Sequence, residues 1–402
     1  MVSKPGKIGS MLKFYNSLTK KKEKFKPIKP KEASLYVCGI TPYDTTHVGH
    51  AFTYLSFDIL ARVLKHAGFK VNYTQNVTDI NDRDNDILKR AEEQNISWQK
   101  LADFWTEKFL QDMSSLNWLK PNNFIKASEN IGEMINLINK LQENGFAYQK
   151  NGSVYFDISK KKDYGKLSGF NETEMLKAAK HFEEDIENPD KKHPLDITLW
   201  RASTKDQPSH IPSFESPFSK GRPGWHIECS AMSISTLGEQ IDIHGGGIDL
   251  IYPHHEAEIA QSEGATLKIP FAKYWLHTFP VSYQGKKMSK SLNNIVMVSD
   301  LLKKYSPDVI RWYLISHHYR QPFEYFETDL EKANSDFLKI SEYLNNQISD
   351  LQSDENIFNK FINALEDDLN TPLALEIISQ AVQDKGSVGV LKKCLSLLGF
   401  SI

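Results

Sequence analysis

Short apolar runs bounded by glycine and proline alternate, early in the chain, with a longer stretch of helical period. Residues 34 to 38, Ser-Leu-Tyr-Val-Cys, form a compact apolar run before Gly39 and Pro42, which predicts a buried strand and its turn. Val48, Phe52, Leu55, Ile59 and Val63 then recur along one helix face, predicting a helix from about Val48 to His66 that Gly68 ends. Asp44, Thr45 and Thr46 offer oxygen acceptors to the first turn of that helix. Lys70 to Thr78 returns as a second strand. Strand, turn, helix and strand make one βαβ unit, so a parallel sheet is expected.

The middle of the chain changes character. A helix near Ile131 to Glu143 ends at Gly145, and 146–150 and 153–156 flank Asn151-Gly152, a type I′ hairpin signal. Lysine and acidic residues dominate 159 to 193, which reads as an inserted, mobile segment. From Gly224 the α/β pattern resumes, with strands near 240 to 244 and 274 to 282, and after Val298 it is helical to the end. The expected organisation is a split Rossmann-like α/β unit (1–114 and 201–297), an inserted α+β segment (115–200) and a C-terminal helical bundle (298–402), which reads as shortened.

Length and charge narrow the classes. At 402 residues, two or three packed units are expected. No stretch approaches the ~20 apolar residues of a membrane span, and the start Met1-Val2-Ser3-Lys4-Pro5 is no secretory signal, so a cytoplasmic location is expected. The three cysteines, Cys38, Cys229 and Cys394, are too scattered for a disulfide framework; Cys394 reads as packing. A net charge of -2 gives no global field for nucleic acid, and the lysine run from Lys20 to Lys31 reads as solvated surface.

Chemistry concentrates in four places. His47 and His50 flank Gly49 at the predicted helix start, where free N–H groups and the helix dipole favour anions. Imidazole N–H groups there suit the charge that builds on an attacked α-phosphorus, and Gly49 leaves room for a base and ribose. Lys287 and Lys290 follow the turn Gln284-Gly285 on a loop that can close on ATP and reopen, following pyrophosphate as it leaves. Gly245-Gly246-Gly247 reads as a turn permitting close backbone approach to a base, with Asp249 able to accept from ribose hydroxyls. Cys38, Cys229, His254 and Glu258 make a zinc-type donor set, the last two at i, i+4 spacing on one helical face. His255 is the alternative histidine ligand. A zinc-built pocket favours a thiol substrate, because a bond that the serine analogue cannot make discriminates better than packing does.

At these residues the chain resembles the cysteinyl-tRNA synthetase family, a class I group that includes the related ligase joining cysteine to a glucosaminyl-inositol in mycothiol synthesis. The resemblance runs nearly end to end, through Met11 to Thr19, Gln75 to Asp79, Pro194 to Trp200, Arg222 to Ser230, His244 to Leu250, Pro253 to Glu258, the lysine loop and Asp368 to Pro372. It implies a class I synthetase catalytic domain that activates L-cysteine with ATP and Mg²⁺. It implies zinc at Cys38, Cys229, His254 and Glu258, and ATP handling by His47, His50, Lys287 and Lys290. Contacts to the cysteinyl-adenylate are implied for Gly39, Thr41, Thr53, Asn76, Thr78, Trp225, Gly247, Asp249 and Val281, with Lys290 beside them.

The implied acceptor is the 3′ end of tRNA-Cys, with a monomeric enzyme expected. Gly39 to His47 is closer to the sugar-ligase branch, and the short helical tail departs from the tRNA branch, so a small amino-sugar acceptor is the alternative. The start at Met11, His244, Ala257 to Ser262 and Asn370 resemble the tRNA branch instead.

Overall fold

In a computed structural model the strand–helix–strand unit forms the centre of a five-stranded sheet; residues 12–43, 46–288, 294–346 and 355–401 are described, the side chain of Lys287 excepted. The chain enters through an antiparallel hairpin, β1 (Lys13–Asn16) and β2 (Lys21–Lys24), whose lysines are exposed. It continues through β3 (Glu32–Ile40), α1 (Val48–His66), β4 (Lys70–Val77), α2 (Ile87–Glu93), α3 (Trp98–Ser115) and β5 (Asn123–Lys126). The middle holds α4 (Ile131–Glu143), β6 (Ala147–Lys150), β7 (Ser153–Phe156), α5 (Glu172–His181), β8 (Ile197–Ala202) and β9 (Gly221–Pro223). Then follow α6 (Trp225–Leu237), β10 (Ile241–Gly247), α7 (Glu256–Thr266), β11 (Ala272–Thr278), β12 (Val281–Tyr283) and β13 (Lys286–Lys287). The remainder is α8 (Val298–Leu301), α9 (Pro307–Ile315), β14 (Phe323–Glu324), α10 (Glu327–Asn346), α11 (Glu355–Glu366), α12 (Thr371–Gln383) and α13 (Val388–Leu397).

The main sheet has the order β11-β10-β3-β4-β5, and every neighbouring pair is parallel. β3 is buried along most of its length, which is why its sequence reads as an apolar run; β4 is equally buried but carries the polar Thr74, Gln75 and Asn76 toward its end. From β3 the chain steps to β4 on one side and later returns to β10 on the other. The order therefore reverses at β3, and a crevice opens beyond the carboxyl ends of β3 and β10. One apolar core packs α1 and the C-terminal helices against the sheet; a second joins α4, α6 and α7 to its other face.

Gly245 to Gly247 lie inside β10 rather than in a turn. A Cβ on Gly245 would stand 2.2 Å from the Phe57 ring, so this glycine lets α1 lie close on the sheet. The β6–β7 hairpin turns through Asn151 at φ 49° and Gly152 at φ 85°, as a type I′ turn needs, and belongs to an antiparallel sheet ordered β6-β7-β8-β9.

The 159–193 segment is folded back onto α7 rather than extended from it. Glu256 accepts from the backbone of Leu167 and Ser168 at 3.0 and 2.9 Å, and Lys161 and Lys166 both reach Glu263 at 2.8 Å. Two of its lysines and two of its backbone amides make these long-range pairings while most of its other charged residues stay exposed, so a composition that looked like a loose loop gives packed structure. α5 starts in a capping box between Asn171 and Glu174.

Candidate active site

The crevice at the strand reversal is a cleft of about 1010 Å³. Cys38 and Gly39 reach it from the end of β3, and Thr41, His47, His50 and Thr53 from the turn and α1. Asn76 and Thr78 come from the end of β4 and just beyond, Trp225 and Cys229 from α6, Gly247 from the end of β10, and Asp249, His254 and Val281 from beyond β10 and β11. Glu258 is fully buried beneath this floor. Lys290 lies outside the described residues; Lys287 pairs through its backbone with Ser282 in β13. Residues drawn from scattered points of the sequence thus line one cavity.

The cleft walls are held by short polar contacts. Gly39 N–H donates to Asn76 Oδ1 at 2.8 Å, and Asn76 Nδ2 donates to Thr78 Oγ1 at 3.0 Å. A Cβ on Gly39 would lie 1.6 Å from the Asn76 carbonyl oxygen, so only glycine fits between β3 and β4 here. Thr53 and Thr278 share a hydroxyl–hydroxyl bond of 2.9 Å across the opening.

The start of α1 differs from expectation. Its cap is His47, whose Nδ1 accepts from His50 N–H at 3.3 Å; Asp44 and Thr45 lie outside the described residues. The His47 and His50 rings stack at 3.7 Å, placing both imidazoles side by side at the helix N-terminus. A Cβ on Gly49 would come within 3.0 Å of the His47 ring, so the space Gly49 leaves is used by that ring.

Below the histidines, one ligand atom from each of Cys38, Cys229, His254 and Glu258 lies within 4.8 Å of the others, all four residues buried. The two sulfurs are 3.9 Å apart, Cys38 Sγ is 3.4 Å from Glu258 Oε1, and His254 Nε2 is 3.3 Å from the same oxygen. Cys38, His244, His255 and Glu258 meet the same test, with His255 Nε2 3.3 Å from Cys38 Sγ. Burial, and then Cys229, pushes the Cys38 thiol well up; burial, and then its histidine neighbours, holds His254 and His255 well down. Converging, buried thiol, imidazole and carboxylate groups fit a thiophilic dication, whose binding would take the proton from the thiol.

Around this set stands a ring of polar contacts that sequence reading missed. His244 Nε2 is 2.8 Å from Glu258 Oε2. His255 Nδ1 is 2.8 Å from His277 Nε2, whose own Nδ1 is 2.7 Å from Ser17 Oγ. His226 Nδ1 is 2.8 Å from His254 Nδ1, and Arg83 stacks 4.0 Å over Trp225. Tyr36, two residues before Cys38 on the same strand, is fully buried beside the sulfurs, whose charges add to burial in raising its phenol. The three-residue spacing of His226 and Cys229 on one helix was a usable signal; Arg83 had none.

Residues 24–335 match the family described as the tRNA synthetases class I (C) catalytic domain. A cysteine–tRNA ligase of Thermococcus onnurineus is 42% identical over 411 residues, covering 96% of this chain and 84% of that protein. One from Methanococcus maripaludis is 43% identical over 386 residues, covering 92% of this chain and 78% of the relative. Among solved structures, a Mycobacterium tuberculosis methionyl-tRNA synthetase with methionyl-adenylate superposes with a TM-score of 0.64 at 17% identity, over 91% of this chain and 84% of that one. A LeuRS–tRNA–LeuAMS complex from Agrobacterium radiobacter gives 0.64 at 11% identity, over 93% of this chain and 83% of the other.

Proposed function

The chain belongs to the cysteine–tRNA ligase family of class I tRNA synthetases, and from that premise we propose how its cleft activates cysteine and passes it to tRNA-Cys. The observation that carries the reading is the shared cavity: the donor set forms the floor of the cleft whose mouth is lined by His47 and His50.

Cys38, Cys229, His254 and Glu258 hold zinc in this reading. Bound there, zinc supplies a Lewis-acid position that a thiolate fills well and a serine hydroxyl poorly. His254 is preferred over His255 because its set brings both thiols together with the carboxylate, whereas the His255 set holds only Cys38.

Trp225, Thr41, Asn76 and Thr78 shape the cysteine pocket, and Thr53, Gly247, Asp249 and Val281 the adenosine side. The cysteine carboxylate attacks the α-phosphorus of MgATP, and pyrophosphate leaves. His47 and His50 donate to the phosphate oxygens as charge moves onto them, while Lys287 and Lys290 follow the departing pyrophosphate. A terminal ribose hydroxyl of the tRNA then attacks the carbonyl carbon and AMP leaves. The amino-sugar acceptor weighed from the sequence finds no support among the relatives compared. A monomer in the cytoplasm is the accompanying reading, and among the described residues no helix is long and apolar enough to cross a membrane.

The test is transfer of labelled cysteine by zinc-loaded protein to total tRNA, beside a glucosaminyl-inositol. Label on tRNA that mild alkali releases is the expected ester. Label on the amine alone would overturn the acceptor.

A further inference from the structure

Five side chains around the metal floor close into a ring, although they come from four separated parts of the chain. Glu184 Oε1 lies 3.3 Å from His226 Nε2 and 2.8 Å from the Arg83 guanidinium. His226 Nδ1 lies 2.8 Å from His254 Nδ1. The His254 ring lies 4.4 Å from that of Trp225, and Arg83 stacks 4.0 Å over Trp225 to return to Glu184. His226 and His254 are buried, and Glu184 sits at the cleft edge with 20% of its side chain exposed.

Proton placement gives this ring a direction. Only one proton fits between two Nδ1 atoms 2.8 Å apart. His254 Nε2 faces the donor set, 3.3 Å from Glu258 Oε1, and its lone pair must be free to bind a metal. The His254 proton is then on Nδ1 and is donated to His226 Nδ1. The remaining His226 proton is on Nε2, where the Glu184 carboxylate accepts it. A carboxylate behind a histidine behind a ligand is the arrangement that fixes a metal-binding tautomer.

We propose that Glu184, supplied by the inserted segment, is a positioning residue that locks His254 in its metal-binding tautomer through His226 and steadies Trp225 through Arg83. This rests on the zinc reading given above for Cys38, Cys229, His254 and Glu258. The segment read as a loose insertion thereby couples metal retention to the wall of the cysteine pocket, because one carboxylate serves both arms.

The test uses the full chain with E184A, E184Q and R83M, reading zinc affinity by competition with a chromophoric chelator, the absorption bands of the cobalt-substituted protein, and KM values in pyrophosphate exchange. E184A should weaken zinc by roughly 10–100-fold, as loss of such partners does. It should also shift the cobalt bands and raise the cysteine KM while the ATP KM holds. E184Q keeps an oxygen acceptor for His226 Nε2–H and should recover most of the metal affinity. Zinc affinity and cobalt bands in E184A equal to those of the parent would overturn the proposal. R83M leaves the metal arm intact and should raise the cysteine KM with zinc affinity unchanged; it carries the test if E184A fails to fold, and an unchanged cysteine KM overturns the Trp225 arm. A parent whose zinc affinity is unaltered by C229S would instead overturn the donor set, and this proposal with it.

Discussion

The backbone of His47 pairs with that of Met297 in an isolated antiparallel bridge. Val48 N–H donates to Val296 O at 2.9 Å, and Val298 N–H donates to Thr46 O at 3.0 Å. The histidine turn is thereby tied to the chain that leaves the lysine loop. Two peptide hydrogen bonds thus join the start of α1 to residues 296–298.

Val298→Pro tests this link. Val298 is the first residue of α8, where the backbone tolerates proline, so the substitution removes the bond to Thr46 O and, the side chain being fully buried, also some packing. Pyrophosphate exchange should slow through kcat at saturating ATP, with the cysteine KM held and a stability loss of about 1 kcal/mol. An unchanged kcat would show that the bridge does not matter for adenylate formation.

Cys229→Ser should lose zinc and cysteine activation together. The serine keeps the shape of the side chain but offers a poor metal ligand, and Cys229 is buried among the other donors. Metal content by emission spectroscopy and exchange rate on the same sample check it. Full zinc with normal exchange would remove this residue from the donor set.

Lys290→Ala should lower adenylate formation on the order of 100-fold, the scale of one electrostatic contact to a transition state, with cysteine affinity nearly constant. Single-turnover formation of the adenylate separates the two quantities. A normal rate would take this lysine out of the chemistry.

Acid should destabilise the zinc-free protein. Burial, followed by the neighbouring histidines, keeps His254 and His255 well below the ordinary imidazole value and brings His277 down to about 3. Unfolded, each of these would titrate near ~6.5. Between those values the unfolded chain binds more protons than the folded one, so the stability contributed is complete above the unfolded value and is lost as pH falls toward the folded one. The melting temperature should drop between about pH 7 and about pH 5, less steeply in His277→Asn. A flat profile would contradict the burial of neutral imidazoles.

Asp58→Ala should cost roughly 3–5 kcal/mol, the range for breaking a buried ion pair from one side. Asp58 is fully buried and accepts from Arg62 Nε at 2.9 Å, from Leu119 N–H at 2.8 Å and from Arg311. Arg311 also donates to Leu398 O at 2.6 Å and Leu116 O at 2.8 Å, so α1, α9 and the end of α13 meet on this pair. Denaturant midpoints check it. Asp58→Leu combined with Arg311→Met should recover part of the loss, since the fully buried Arg311 charge is then removed together with its partner.

The sequence by itself determined the elements whose signals are local. The period of Val48 to Val63 placed α1, the Asn151-Gly152 pair placed the β6–β7 turn, and the run before Gly39 placed β3, because periodicity and turn chemistry act over a few residues. It also named the donor set and the histidine pair, since these residue types carry their chemistry wherever they stand. What only the tertiary structure decided involves partners distant in the chain. Gly245 reads as a turn residue until Phe57 is packed against it, and the 159–193 segment reads as loose until Glu256 and Glu263 take its amides and lysines. The cap of α1 fell to His47 because its ring can fold over Gly49, a matter of space that no residue preference expresses. The chain from Glu184 through His226 to His254 is the clearest case. Each link is a hydrogen bond whose energy depends on distance and direction in three dimensions, and spacing along the sequence carries no information about either.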